Sequence, residues 1–170
     1  VDALHELNDI ATRDVHNLAA WRLGGQIALS DAGFLEFARD WTSEAMRHVP
    51  EDSIVIAQRA EALMLSEDTA GARGLWEKLW NSERKPQVLA ALILCETAAG
   101  AITHKPDDNK DEIAASRAYV EWYRKLLAVR AQKTVARLME HTNAVNESLP
   151  SAAKIVGAAI AEVGKETIGA

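Results

Sequence analysis

The side chains able to do chemistry are five histidines, one cysteine and 25 carboxylates in a chain of 170 residues. Their spacing limits what they can do together. Among His5, His16, His48, His104 and His141, no two stand four apart, the spacing that lets one helix face offer two ligands to zinc. HELND at His5 matches the start of a metalloprotease helix but has no second histidine after Glu6. His48 closes a helical run, where an imidazole can meet the end carbonyls. Asp107, Asp108, Asp111 and Glu112 cluster without the spacing of a calcium loop and read as solvated. Glu77 and Glu140 are isolated carboxylates that nothing brings together as an acid–base pair. Cys95 lies in the apolar run VLAALILCETAAG and reads as a small buried hydrophobe rather than a reactive thiol. A single cysteine also excludes an internal disulfide and a zinc site built on several thiolates. No Gly-Lys-Thr phosphate loop, Gly-x-Gly-x-x-Gly turn or Gly-x-Ser-x-Gly elbow is present. GARG has no preceding strand, and LGG fits close helix approach. The expectation is a noncatalytic chain with no cofactor and no metal.

The elements that must position these residues are helical. Ala, Leu, Glu, Arg and Lys dominate between turn signals, and no alternating run suggests a sheet. An apolar share of 48% against 26% charged is that of a folded chain rather than a disordered one. The formal charge of -6 argues against nucleic acid and against acidic lipid, both of which demand concentrated Lys and Arg. No stretch of about 18 uncharged apolar residues exists to span a membrane. VDALHELND has no basic region followed by an apolar core, so no intact signal peptide is expected, and the missing initiator Met is compatible with a fragment or a processed form. The lone cysteine fits a reducing compartment, so the expected location is cytoplasmic.

Pro50, Pro86, Pro106 and Pro150 mark element boundaries. The spacing predicts helices over about 2–11, 15–29, 32–48, 53–66, 69–82, 86–99 and 111–141, and a last one from Ser151. Asp52 or Ser53 caps one of them, and Ser151 caps the last. GAITHKPDDNKDE, residues 100–112, reads as an inserted polar loop that can reach a partner or cover an edge.

The stretch EDTAGARGLWEKLW places Ala72, Trp76 and Leu79 on one helix face. The same pattern recurs. Ala38 and Ala72 are 34 residues apart, as are Trp41 and Leu75, and Ala45 and Leu79. With 12 residues inserted, Ala118 falls under Ala72 and Trp122 under Trp76. Trp21–Ala28 falls over Ile56–Leu63 with one residue of slack, setting Gly25 over Ala60. Over residues 17–127 the chain resembles the tetratricopeptide repeat family, whose 34-residue helix–turn–helix unit carries Trp, Leu-Gly and Tyr in its first helix and Ala, Phe and Pro in its second. Trp21, Gly24 and Gly25 resemble the first-helix pattern, Ala72 with Trp76 and Ala118 with Trp122 the second, and Pro50 the closing proline. The sequence departs from that pattern at Thr42, which takes an aromatic position, and in the second unit, whose first helix has neither Trp nor Gly. The third unit is split by the loop.

The expected fold is all-α: antiparallel hairpins stacked as a short right-handed solenoid in one domain, 1–170, with residues 1–15 as an N-terminal cap and 151–170 as a capping helix. Another antiparallel helical bundle is the alternative. The resemblance implies a concave surface of first helices that binds a protein or peptide. In this register it draws on Arg22, Gln26, Ala57, Glu61, Met64, Ala91 and Cys95. The groove lacks the dense Lys and Arg set that family members use to clamp a C-terminal carboxylate. Arg130, Lys133 and Arg137 form a basic stripe, either a solvated face or a dock for an acidic partner. Ile155, Val156, Ala159, Ile160 and Val163 make the last helix apolar enough to cover the stack or to pair two copies. The leading functional expectation is an interaction or scaffold module. An accessory positioning domain of an enzyme and a homo-oligomerisation module are the alternatives.

Overall fold

Residues 2–129, 131–145 and 149–168 are described by the computed structural model, and among them are nine α-helices, one 3-10 turn and no strand. The helices are α1 (Asp2–Arg13), α2 (Leu18–Ala28), α3 (Leu35–His48), α4 (Ser53–Leu65), α5 (Thr69–Ser82), α6 (Pro86–Ala98), α7 (Asn109–Ala128), α8 (Gln132–Val145) and α9 (Pro150–Ile168), with the 3-10 turn at Ala32–Phe34 leading into α3. None of the described helices is long and apolar enough to cross a membrane.

Short polar side chains start the helices by accepting a backbone N–H that has no partner within the first turn. Asn17 accepts from Ala20, Asp52 from Val55, Asp68 from Gly71 and Asp108 from Asp111, all at 2.8–3.0 Å. Pro86 opens α6, where its missing N–H costs nothing. Gly100 ends α6 at φ +76, with its N–H on the Thr97 carbonyl and that of Ala101 on the Glu96 carbonyl. That pattern closes a helix end and requires the left-handed conformation glycine tolerates.

Several boundaries differ from expectation, among them α2, which starts at Leu18 rather than 15, and α3, which starts at Leu35 after the 3-10 turn rather than at 32. The run from 111 to 141 is two helices, because α7 ends at Ala128 and α8 starts at Gln132. The N–H of Ala131 reaches the Leu126 carbonyl at 3.0 Å, and the turn lets α8 pack on α6, burying Thr134, Val135 and Leu138. The last helix starts at Pro150, with the Ala153 N–H on the Leu149 carbonyl, so Ser151 lies inside it rather than capping it. The loop expected over 100–112 ends earlier, because Asp108 already caps α7.

Consecutive helices pack on one another throughout, and α2 also meets α4, α4 meets α7, α6 meets α8, and α7 meets α9. Close approach rests on small residues. A Cβ on Gly24 would lie 2.2 Å from Cζ2 of Trp41 on α3, and one on Gly25 would lie 2.2 Å from Oε1 of Gln58 on α4. Trp21, Gly25, Ala38, Ala60, Ala72, Trp76, Leu79 and Ala118 are all buried, while Trp122 is half-buried with its ring edge-on to Trp76 at 5.5 Å. Every residue of α6 from Val88 to Ala98 is buried, so this helix forms the centre of the larger core among α5, α7 and α8. Along α9, Ile155, Val156, Ala159 and Val163 are buried and Ile160 is half-buried. This apolar stripe is covered within the chain, and Arg124 fastens the helix from α7 to Glu166 at 2.6 Å and Glu162 at 3.3 Å.

Candidate partner-binding groove

The α2–α4 and α4–α7 contacts leave an open groove that runs onto the first turn of α6. Its largest cavity, about 530 Å³, is lined from α2 by Arg22, Leu23 and Gln26, from α4 by Ile54, Gln58 and Glu61, and from α7 by Lys125. A second cavity of about 230 Å³ continues along Glu61, Gln87, Trp122 and Lys125. A third of about 290 Å³ adds Ala57, Trp76 and Val88. Leu23 and Ile54 on the walls are 47% and 44% exposed and lie on the same cavity.

Two ion pairs tie the walls together. Arg22 grips Asp52 with Nε and Nη2, and Asp52 also caps α4, so one carboxylate joins α2 to the start of α4. The bond from Arg22 holds the Asp52 carboxyl below its ordinary pKa, burial working the other way. Glu61 and Lys125 pair across the groove from α4 to α7, and burial lowers the Lys125 ammonium from its ordinary value. Gln58 donates from Nε2 to the Arg22 carbonyl at 2.8 Å, fixing the carboxamide under α2. With both ion pairs closed, the largest cavity presents its exposed apolar walls and the carboxamide of Gln26, while Gln87 and the exposed Glu121 line the second.

Of the residues the sequence singles out for a groove, Arg22, Gln26, Ala57 and Glu61 line these cavities. Met64, Ala91 and Cys95 do not. They are buried in the core: α6 is enclosed along Ala91 and Cys95, and Met64 near the end of α4 faces it, its sulfur 3.5 Å from the Cys95 thiol. Burial pushes the Cys95 thiol up to about 12. Leu23, Ile54, Gln58, Trp122 and Lys125 were not assigned to a groove. The exposed isoleucine and leucine interrupt the helical periodicity on their own helices and were the available signal; the place of α7 beside α4 had none. Lys133 and Arg137 are exposed on α8, and Arg130 lies outside the described residues.

The polar loop is tied down rather than extended toward a partner. The Glu96 carboxylate, fully buried on α6, accepts from the Thr103 N–H (2.9 Å) and hydroxyl (2.7 Å), from the His104 N–H (3.0 Å) and Nδ1 (2.7 Å), and from Arg73 (3.1 Å). An ionised carboxylate only accepts, so His104 Nδ1 carries the proton. Burial alone would raise the Glu96 pKa, but the bonds from Thr103 and His104 outweigh it and leave it below the ordinary value. Ile102 is buried under the same loop. Among the described residues no group of three or more His, Cys, Asp or Glu side chains is placed to hold a metal ion.

No family model matches the chain, and neither a curated protein nor a solved structure matches it.

Proposed function

We propose that the chain is a noncatalytic protein-interaction module, built as a tetratricopeptide-like stack of helical hairpins, whose groove along α2, α4 and α7 takes an apolar segment of a partner protein. The observation that carries this reading is the pair of exposed aliphatic side chains, Leu23 and Ile54, facing one open cavity whose charges are already paired. The 34-residue offset and the order in which consecutive helices pack support the stacked-hairpin part. In this reading the groove selects apolar side chains, the carboxamides of Gln26 and Gln87 bond the partner's backbone, and the ion pairs hold the walls at fixed separation.

The test is selection of a displayed random peptide library on the immobilised chain, followed by titration of the enriched peptides against the wild type and the Leu23→Glu/Ile54→Glu double variant. The expected peptides share apolar residues and bind the double variant at least about tenfold more weakly, since each docked aliphatic contributes on the order of 1.5–3 kcal/mol. Both positions are exposed, so circular dichroism should show an unchanged fold. Enriched peptides that bind both proteins equally would refute the groove as the site.

A further inference from the structure

A second concavity, about 260 Å³, lies between α1, α2 and α3 and shares no residue with the groove; Asn8, Trp21, Phe37, Asp40, Trp41 and Glu44 line it. Phe37, Asp40, Trp41 and Glu44 stand at i, i+3, i+4 and i+7 and therefore share one face of α3. Their rings form a continuous aromatic wall. Trp21 and Trp41 are tilted with centroids 4.9 Å apart, and Phe37 stacks on Trp41 at 5.8 Å and 27°. Both indole N–H groups point away into backbone carbonyls, Trp21 to Val15 at 2.8 Å and Trp41 to Trp21 at 3.0 Å. The indoles therefore offer no donor; each is only 5% exposed and His48 stacks on Trp21 at 5.7 Å, so Phe37 is the ring most open to a ligand. Phe37 is 38% exposed at the mouth, and the carboxylates of Asp40 and Glu44 stand on the rim.

Aromatic faces carry negative charge density, and the Asp40 carboxylate adds to it, so the complement of this surface is a cation. The chain's own side chains occupy Glu44 and leave Asp40 as the open carboxylate of the rim. Arg47 bonds one Glu44 oxygen at 2.7 Å and His48 the other at 2.9 Å. Arg59 feels the Asp40 charge, but its guanidinium donates to the Arg39 carbonyl at 2.7 Å. Asp40 is exposed on the rim. We propose that this pocket receives the guanidinium of an arginine side chain of a partner protein. A guanidinium is planar, so it lies on a ring face while its N–H fork meets a carboxylate, and it sheds its water more readily than an ammonium does. The cavity admits that group with part of its stem.

The test is NMR of the ¹⁵N-labelled chain, following indole and backbone signals while adding the capped tripeptide Gly-Arg-Gly. Citrulline, neutral and of the same shape, and lysine replace the arginine in control peptides. None of these carries an apolar side chain, so the outcome is separate from that of the groove. The arginine peptide should give saturable shifts confined to Trp21, Trp41 and the backbone from Phe37 to Glu44. Citrulline should bind about tenfold more weakly, and Asp40→Asn or Phe37→Ala should each weaken arginine about fivefold. Arg47→Ala should tighten it by freeing Glu44. Absence of saturable shifts, equal binding of citrulline, or indifference to Asp40→Asn would overturn the proposal. Equal binding of lysine would overturn the assignment to arginine.

Discussion

Removing the Glu96 carboxylate tests whether one buried acid holds the 99–108 segment against α6. In Glu96→Ala, two backbone N–H groups, the Thr103 hydroxyl and the His104 ring lose their acceptor at once. Thr103 is exposed and His104 half-buried, so these donors regain water if the loop lifts, and Arg73 can turn to Glu77, 3.6 Å away. The bonds therefore do not add. One or two charge-assisted bonds of about 1.5–3 kcal/mol each set the net, giving about 3 kcal/mol for alanine and about 2 kcal/mol for glutamine, which keeps the shape but not the charge. The pH dependence has a definite sign. A carboxyl whose folded pKa is depressed contributes its full stability above the ordinary value of 4.5 and loses it as pH falls through the lower folded value. The gap between wild type and Glu96→Gln should therefore be largest near neutral pH and close below pH 4.5. Urea unfolding followed by circular dichroism at steps from pH 7 to pH 3 measures this. Hydrogen exchange at the Thr103 and His104 amides reports the loop directly, and both should lose protection in either variant. A stability gap as wide at pH 3 as at pH 7, or unchanged protection of those two amides, would refute the reasoning.

Gly24→Ala should lower stability by about 1–3 kcal/mol, although alanine is the better helix former, because its Cβ would fall on the Trp41 ring; thermal unfolding measures it, and a more stable variant would show that α2 and α3 can separate without cost. The Cys95 thiol, buried and with its pKa pushed up to about 12, should resist a thiol reagent at pH 8 in the native protein and react fully in denaturant. Rapid native labelling would show that α6 opens.

Periodicity and punctuation made most helices legible. Pro86 and the aspartate before Ser53 fix two starts within a residue, and the 34-residue offset picks out the buried Ala38, Trp41 and Ala45 on α3 and Ala72 and Leu79 on α5. The break after Ala128 was hidden because neither proline nor glycine marks it; the turn is stabilised by what α8 gains on α6, a tertiary effect outside any local window. The turn between α4 and α5 falls where the spacing places it, between 66 and 69, although Glu67 adopts φ +66 without a glycine to signal that conformation. Groove residues on α2 and α4 were accessible to register arguments. Met64 at the end of α4 failed, as did Ala91 and Cys95 on α6, because a helix that is apolar all round is enclosed and its sequence does not say by which neighbours.

The enclosure of α6 decides the chemistry of the groove. A repeat read from the sequence assigns the third wall to α6, whereas α7 packs beside α4 and supplies Trp122 and Lys125 instead. Trp122 meets Trp76 edge-on, and one turn further Lys125 reaches Glu61. That pair cancels the one charge α4 projects into the groove, as Asp52 cancels Arg22 at the other end. In the largest cavity a charged partner segment would have to break one of these pairs to gain another, an exchange with little net return, while an apolar segment leaves both closed. The aromatic pocket on α3 differs, since Glu44 is held by Arg47 and His48 while the Asp40 carboxylate stands exposed on its rim. The two surfaces therefore select by different physics. Raising the salt concentration should weaken arginine at the α3 pocket and leave apolar peptides in the groove bound as tightly or more so.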